Sequence, residues 1–135
     1  MEREIKFRGK VGHPELDIFL SDVKSGDWVY GDLGNCNCIF LSEDKLRRRG
    51  FFVEEDTIGQ FTGRCDKNGK EIYEGDIIRY AEMYFEVKFD MASGCWIAVC
   101  YRNVTSTKML YDFKIDRIEV VGNVYDNPEL IEKED

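Results

Sequence analysis

A chain of 135 residues has room for one compact domain, and an apolar fraction of 43% with 9 Phe, 7 Tyr and 2 Trp places it outside the disordered regime. Its 19 basic and 27 acidic residues give a net charge of −8. That balance disfavours nucleic acid as a partner, because a phosphate backbone is repelled unless the cations gather on one face.

No apolar run approaches a membrane span, and Met1-Glu2-Arg3-Glu4-Ile5 does not open a secretory leader. Five cysteines, an odd count, suit free thiols in a reducing compartment, so the expected location is cytoplasmic, with no membrane association.

Short patches rich in β-branched and aromatic residues, each bounded by Gly, Asn or Asp, predict strands over Glu4–Phe7, Trp28–Tyr30, Cys38–Leu41, Phe51–Val53 and Thr57–Thr62. Further strands are predicted over Ile77–Tyr80, Phe85–Phe89, Trp96–Cys100 and Ile118–Tyr125. Between the first and second groups, Asp66-Lys67-Asn68-Gly69-Lys70 carries an Asn-Gly pair suited to positive φ, so Phe61–Gly63 and Glu71–Tyr73 are expected to run back on each other. Glu74-Gly75-Asp76 and Met91-Ala92-Ser93-Gly94 supply two more turns.

In Phe85-Glu86-Val87-Lys88-Phe89-Asp90 the alternation places Phe85, Val87 and Phe89 on one buried face. Helical signals are limited to Ser42–Arg48, with a capping Ser and early acids, and to Asn127-Pro128-Glu129-Leu130-Ile131-Glu132-Lys133, with Asn127 as cap and Pro128 in first position. The fold class expected is therefore mainly β, with short antiparallel strands whose spacing after Phe61 suits a C-terminal small barrel.

Catalysis by common routes lacks its usual supports. The single histidine, His13, lies in a loop-like Gly-His-Pro sequence, and no nucleophile elbow, phosphate-binding glycine loop or zinc-protease motif is present. Cys36, Cys38, Cys95 and Cys100 would offer zinc four thiolates only if the fold assembled them, and their spacing differs from that of zinc ribbons. Asp66–Glu71 has the flavour of a calcium loop but lacks its third ligand and closing Glu, so a hairpin accounts for it.

Glu71, Glu74 and Asp76 read as solvated turn acids rather than an acid–base pair. The basic run Lys45–Arg49 reads as a solvated segment. No metal, cofactor or catalytic residue is expected. The residues singled out for an interaction patch are Tyr80, Tyr84, Trp96 and Tyr101, placed near strand ends where small barrels expose rings that grip an extended peptide.

Three blocks carry a resemblance: Arg3–Arg8; Gln60–Gly63 followed by Asp66-Lys67-Asn68-Gly69-Lys70-Glu71-Ile72-Tyr73-Glu74-Gly75-Asp76-Ile77-Ile78; and Val120–Leu130. Together they resemble the YopX family of phage and prophage proteins. The resemblance implies one YopX-like domain over 1–135, with a variable N-terminal β layer over 1–56 and an SH3-like small barrel over 57–130. It brings no known activity.

The expected role is a phage- or prophage-encoded accessory protein that is not an enzyme and works by protein contact, with a host or phage factor or with its own copies. The alternatives are a small barrel that binds nucleic acid, an enzyme or metal site not visible from sequence, and an acidic mimic of DNA built on Glu54, Glu55, Asp56, Glu71, Glu74 and Asp76.

Overall fold

Alternation of apolar and polar side chains along short segments dictates paired strands with one buried face. The computed structural model describes residues 4–12, 23–35, 37–41, 50–101 and 106–131. Within them the chain is mainly β, in two antiparallel sheets, and contacts divide it into two compact units, Met1–Phe61 and Thr62–Asp135. The helix predicted at Ser42–Arg48, the basic run Lys45–Arg49, and the residues His13 and Cys36 lie outside the described residues.

In the first unit β1 (Phe7–Lys10), β2 (Trp28–Gly34), β3 (Cys38–Leu41), β4 (Gly50–Phe52) and the start of β5 (Gly59–Cys65) follow the order β4-β3-β2-β1-β5. Val11, Val29, Ile39, Phe51 and Val53 form its core. The first strand begins at Phe7, where the sequence predicts it to end, because Phe7, Gly9 and Val11 are the residues whose alternation faces that core. Thr57, expected in a strand, instead lies in a 3-10 turn over Glu55–Thr57. Its hydroxyl donates to the Glu54 carbonyl at 2.6 Å and accepts the Lys10 N–H at 2.9 Å.

The second unit holds the remainder of β5 with β6 (Glu71–Tyr73), and a five-stranded sheet of β7 (Asp76–Tyr80), β8 (Met83–Asp90), β9 (Cys95–Cys100), β10 (Ser106–Met109) and β11 (Glu119–Asn123). Its order, β10-β9-β8-β7-β11, is a four-strand meander with the last strand returned beside the first. Among the described residues this ladder is open, with β10 and β11 as its edges, so a closed barrel is not formed by the pairing.

Ile78, Phe85, Val87, Ala98, Cys100 and Val120 from the sheet meet Ile72, Leu110, Phe113 and Ile118 in one buried cluster. Phe89 departs from the predicted burial: it shares the face of Phe85 and Val87 but is 39% exposed, with its ring edge-to-face on Trp96 at 5.1 Å. Strand β10 is absent from the sequence prediction, since Ser106-Thr107-Lys108-Met109 shows no apolar alternation. The C-terminal helix is replaced by a 3-10 turn over Pro128–Ile131, with Asn127 turned back to accept the Asn123 N–H at 3.3 Å.

The β7–β8 connection carries local strain. Tyr80 pairs with Met83, so only Ala81 and Glu82 form the loop, and both have positive φ, 51° and 63°. Such a turn suits Asn-Gly, and each L side chain there is strained by roughly 1–2 kcal/mol. Glu82→Gly is therefore expected to raise the unfolding free energy by about 1 kcal/mol, read from urea midpoints at unchanged slope.

Candidate functional site

Strand register assigns each candidate side chain to a face. Ile78 pairs with Phe85, Val87 with Ala98, and Phe89 with Trp96, and these residues face the core. Arg79 pairs with Tyr84, Glu86 with Val99, and Lys88 with Ile97, and these occupy the opposite, outer face.

The four predicted patch residues therefore separate. Tyr80 and Trp96 belong to the core face, both half-buried against the apolar cluster, with the Tyr80 ring edge-to-face on Phe113 at 4.8 Å. Trp96 lies at the far end of its strand with Phe89. Tyr84 and Tyr101 belong to the outer face. Tyr101 follows the last residue of β9, beyond the register paired with β8, which ends at Glu86 and Val99.

The Tyr101 hydroxyl donates to Glu86 Oε1 at 2.9 Å. Burial, then this hydrogen bond to a carboxylate and the carboxylate's charge, push the Tyr101 phenol above its ordinary range. Next to Tyr84, Arg79 reaches Glu119 Oε2 at 2.7 Å, and Lys67 meets the same oxygen at 3.6 Å. An exposed ion pair of this kind fixes side-chain direction more than it stabilises the fold. The row Glu119, Arg79, Tyr84, with the bonded pair Glu86 and Tyr101, is thus a polar and aromatic patch beside the buried Ile77 and Val99 of the same face.

The acidic residues of the β5–β6 hairpin have a different use from the one expected. Asp66 is only 4% exposed. Its Oδ1 accepts the N–H groups of Asn68 and Lys70, each at 2.9 Å, and its Oδ2 that of Val120 at 2.9 Å. Burial by itself pushes this carboxyl up, but the N–H groups of Val120, Lys70 and Asn68, with the charge of Lys70, together hold it below its ordinary value.

Asp76, expected among solvated acids, is 2% exposed and accepts the Tyr73 N–H at 2.7 Å. Glu71 accepts the Tyr73 hydroxyl at 3.1 Å. The run from Asp66 to Asp76 thus holds two buried carboxylates bonded to backbone. Sequence reasoning missed both, although Asp-x-Asn-Gly ahead of an apolar run is the pattern of a side chain closing its own turn.

Cys95 and Cys100 end β9 on opposite faces, with Cys100 in the core and the Cys95 thiol against the Ser93 carbonyl at 3.5 Å. Among the described residues no three His, Cys, Asp or Glu side chains gather as metal ligands, and no helix is long and apolar enough to cross a membrane.

A family model described as YopX protein matches residues 22–132. The chain belongs to the YopX family. Two of the three blocks read from the sequence, the hairpin block and Val120–Leu130, lie inside the matched range, and Arg3–Arg8 precedes it. No curated protein matches the chain. In this YopX chain the Asp66-to-Asp76 block has a structural chemistry: a positive φ of 80° at Gly69 makes the turn, Asp66 fastens it, and Asp76 fastens the next.

Proposed function

We propose that this YopX chain is a phage- or prophage-encoded, cytoplasmic accessory protein, not an enzyme, that works by binding another protein through the outer face of its second unit. The observation that carries the reading is that Tyr84, opposite Arg79, and Tyr101, bonded to Glu86, lie on that one face. Tyr and Arg are the residue types that concentrate binding energy in protein interfaces, and a half-buried tyrosine loses little freedom on contact. The hairpin acids Asp66 and Asp76 are held by backbone N–H groups, which suits structure rather than proton transfer.

The second unit is read as a small barrel of SH3 type. Support comes from the meander β7 to β10, the 3-10 turns at Leu110–Asp112 and Ile115–Arg117, and the return of β11 to β7.

The test is affinity capture from a bacterial lysate with the wild-type chain, Tyr84→Ala, Tyr101→Ala and a Phe89→Ala control on the other face. Either tyrosine variant is expected to weaken binding of the captured protein about tenfold or more, the scale of a hot spot, in a chain that a thermal melt shows to be folded at the capture temperature. Equal capture by all four chains would remove the outer face from the mechanism.

A further inference from the structure

Asn68 is the only asparagine in the chain that a glycine follows. The pair sits at the exposed tip of the β5–β6 hairpin, and Gly69 has open space where a Cβ would lie. An asparagine side chain so placed is open to attack by the next residue's amide nitrogen, since glycine puts no side chain in the way. Yet every backbone N–H of the turn is committed. Lys67 donates to the Ile118 carbonyl at 2.9 Å and Gly69 to the Asp66 carbonyl at 3.0 Å. Asn68 and Lys70 both donate to Asp66 Oδ1 at 2.9 Å, and the Asp66 N–H closes the base of the turn on the Lys70 carbonyl at 2.8 Å.

We propose that Asn68 is a site of spontaneous deamidation, with water as the only co-reactant, and that the Asp66 turn gates the reaction by holding the attacking nitrogen. The Gly69 nitrogen gives its proton to hydroxide and bonds to Asn68 Cγ. The Cγ–NH₂ bond breaks, and the amide leaves as ammonia with a proton from water, closing a five-membered succinimide. Water then opens the ring. Cleavage of the new N–Cγ bond gives aspartate, and cleavage of the original peptide C–N bond gives isoaspartate, whose main chain runs through Cβ and Cγ. Either route consumes one water and releases one ammonia, with no change of oxidation state. In the folded turn the proton that must leave is the one donated to the Asp66 carbonyl, so the reaction waits on a local opening that frees the Gly69 N–H. The products alter the turn. Aspartate sets a second carboxylate beside Asp66, and isoaspartate lengthens the main chain between the Asn68 and Lys70 N–H groups that share Asp66 Oδ1.

The experiment incubates the full chain in mildly alkaline buffer, folded and in guanidinium chloride. Peptide mass spectrometry that separates aspartate from isoaspartate follows each asparagine, and hydrogen exchange reads the Gly69 amide of the folded chain. In guanidinium Asn68 is expected to convert faster than any other asparagine. In the folded chain it should convert slower by about tenfold or more, and by the same factor as the protection of the Gly69 amide. Asp66→Ala, in a chain that a thermal melt shows to be folded, should remove most of that slowing. Conversion of Asn68 in guanidinium no faster than that of Asn123 refutes the site. Equal rates in the folded and unfolded chain, or a slowing that departs from the Gly69 protection by tenfold or more, refute the gate. Should Asp66→Ala unfold, these wild-type rates decide alone.

Discussion

Replacing Phe113 with alanine is expected to lower the unfolding free energy by about 3–5 kcal/mol, the range for deleting a buried aromatic side chain. Phe113 is 3% exposed and sits where three parts of the second unit meet. Tyr80 approaches its ring edge-on at 4.8 Å and Phe85 at 5.2 Å, so its loss leaves two rings without their partner as well as a cavity. The backbone around it is fixed independently, by the Arg64 guanidinium donating to the carbonyls of Leu110 at 2.6 Å and Phe113 at 3.3 Å, so collapse into the space is restricted. Urea denaturation measures the effect. A loss below 1 kcal/mol would show that Tyr80 and Phe85 refill the site, and with it that Tyr80 is not a fixed member of this core.

The second large effect is at Asp66, where alanine removes three hydrogen bonds from a charged acceptor and leaves the buried Val120 N–H unpaired, an expected cost of about 3 kcal/mol at neutral pH. The pH dependence follows from the direction of its shift. The folded carboxyl titrates below its ordinary value of 3.8, so its contribution is complete above that value and is lost as pH falls through the lower, folded one. The difference between wild type and Asp66→Ala should therefore be constant at neutral pH and shrink as the solution is acidified below about 4. A difference that persists unchanged in strong acid would mean that the ionised form is not what the N–H groups hold.

Much of the second unit was legible because its strands obey alternation. Phe85–Phe89 and Ile77–Tyr80 have apolar residues at every second position or in a continuous run between turns, and Asn68-Gly69 marks a hairpin that the structure contains. The YopX resemblance was legible for the same reason: the hairpin block is rich in residues with one conformational use.

The faces of the candidate site were harder to read. Tyr80 and Tyr84 are divided by a two-residue turn that pairs residue 80 with 83, and Ala81-Glu82 does not announce such a turn. A loop one residue longer would have put both rings on one face. Trp96 and Tyr101 are five positions apart, an odd number, so their separation onto opposite faces was available from parity, as it was for Cys95 and Cys100. Burial of Asp66 and Asp76 was not, because acid in a turn sequence signals solvent unless the partner is known, and the partner of Asp66 is the N–H of Val120, far away in sequence.

The function proposed rests on protein contact by an acidic chain, and capture from a bacterial lysate with and without nuclease addresses it most directly. Recovery of one host or phage protein by the wild-type chain, undiminished by nuclease, enriched over a charge-matched control and reduced about tenfold by Tyr84→Ala, is the predicted result. Recovery of DNA or RNA, with every captured protein lost on nuclease treatment, would contradict it and make the chain a nucleic-acid binder despite its net charge of −8.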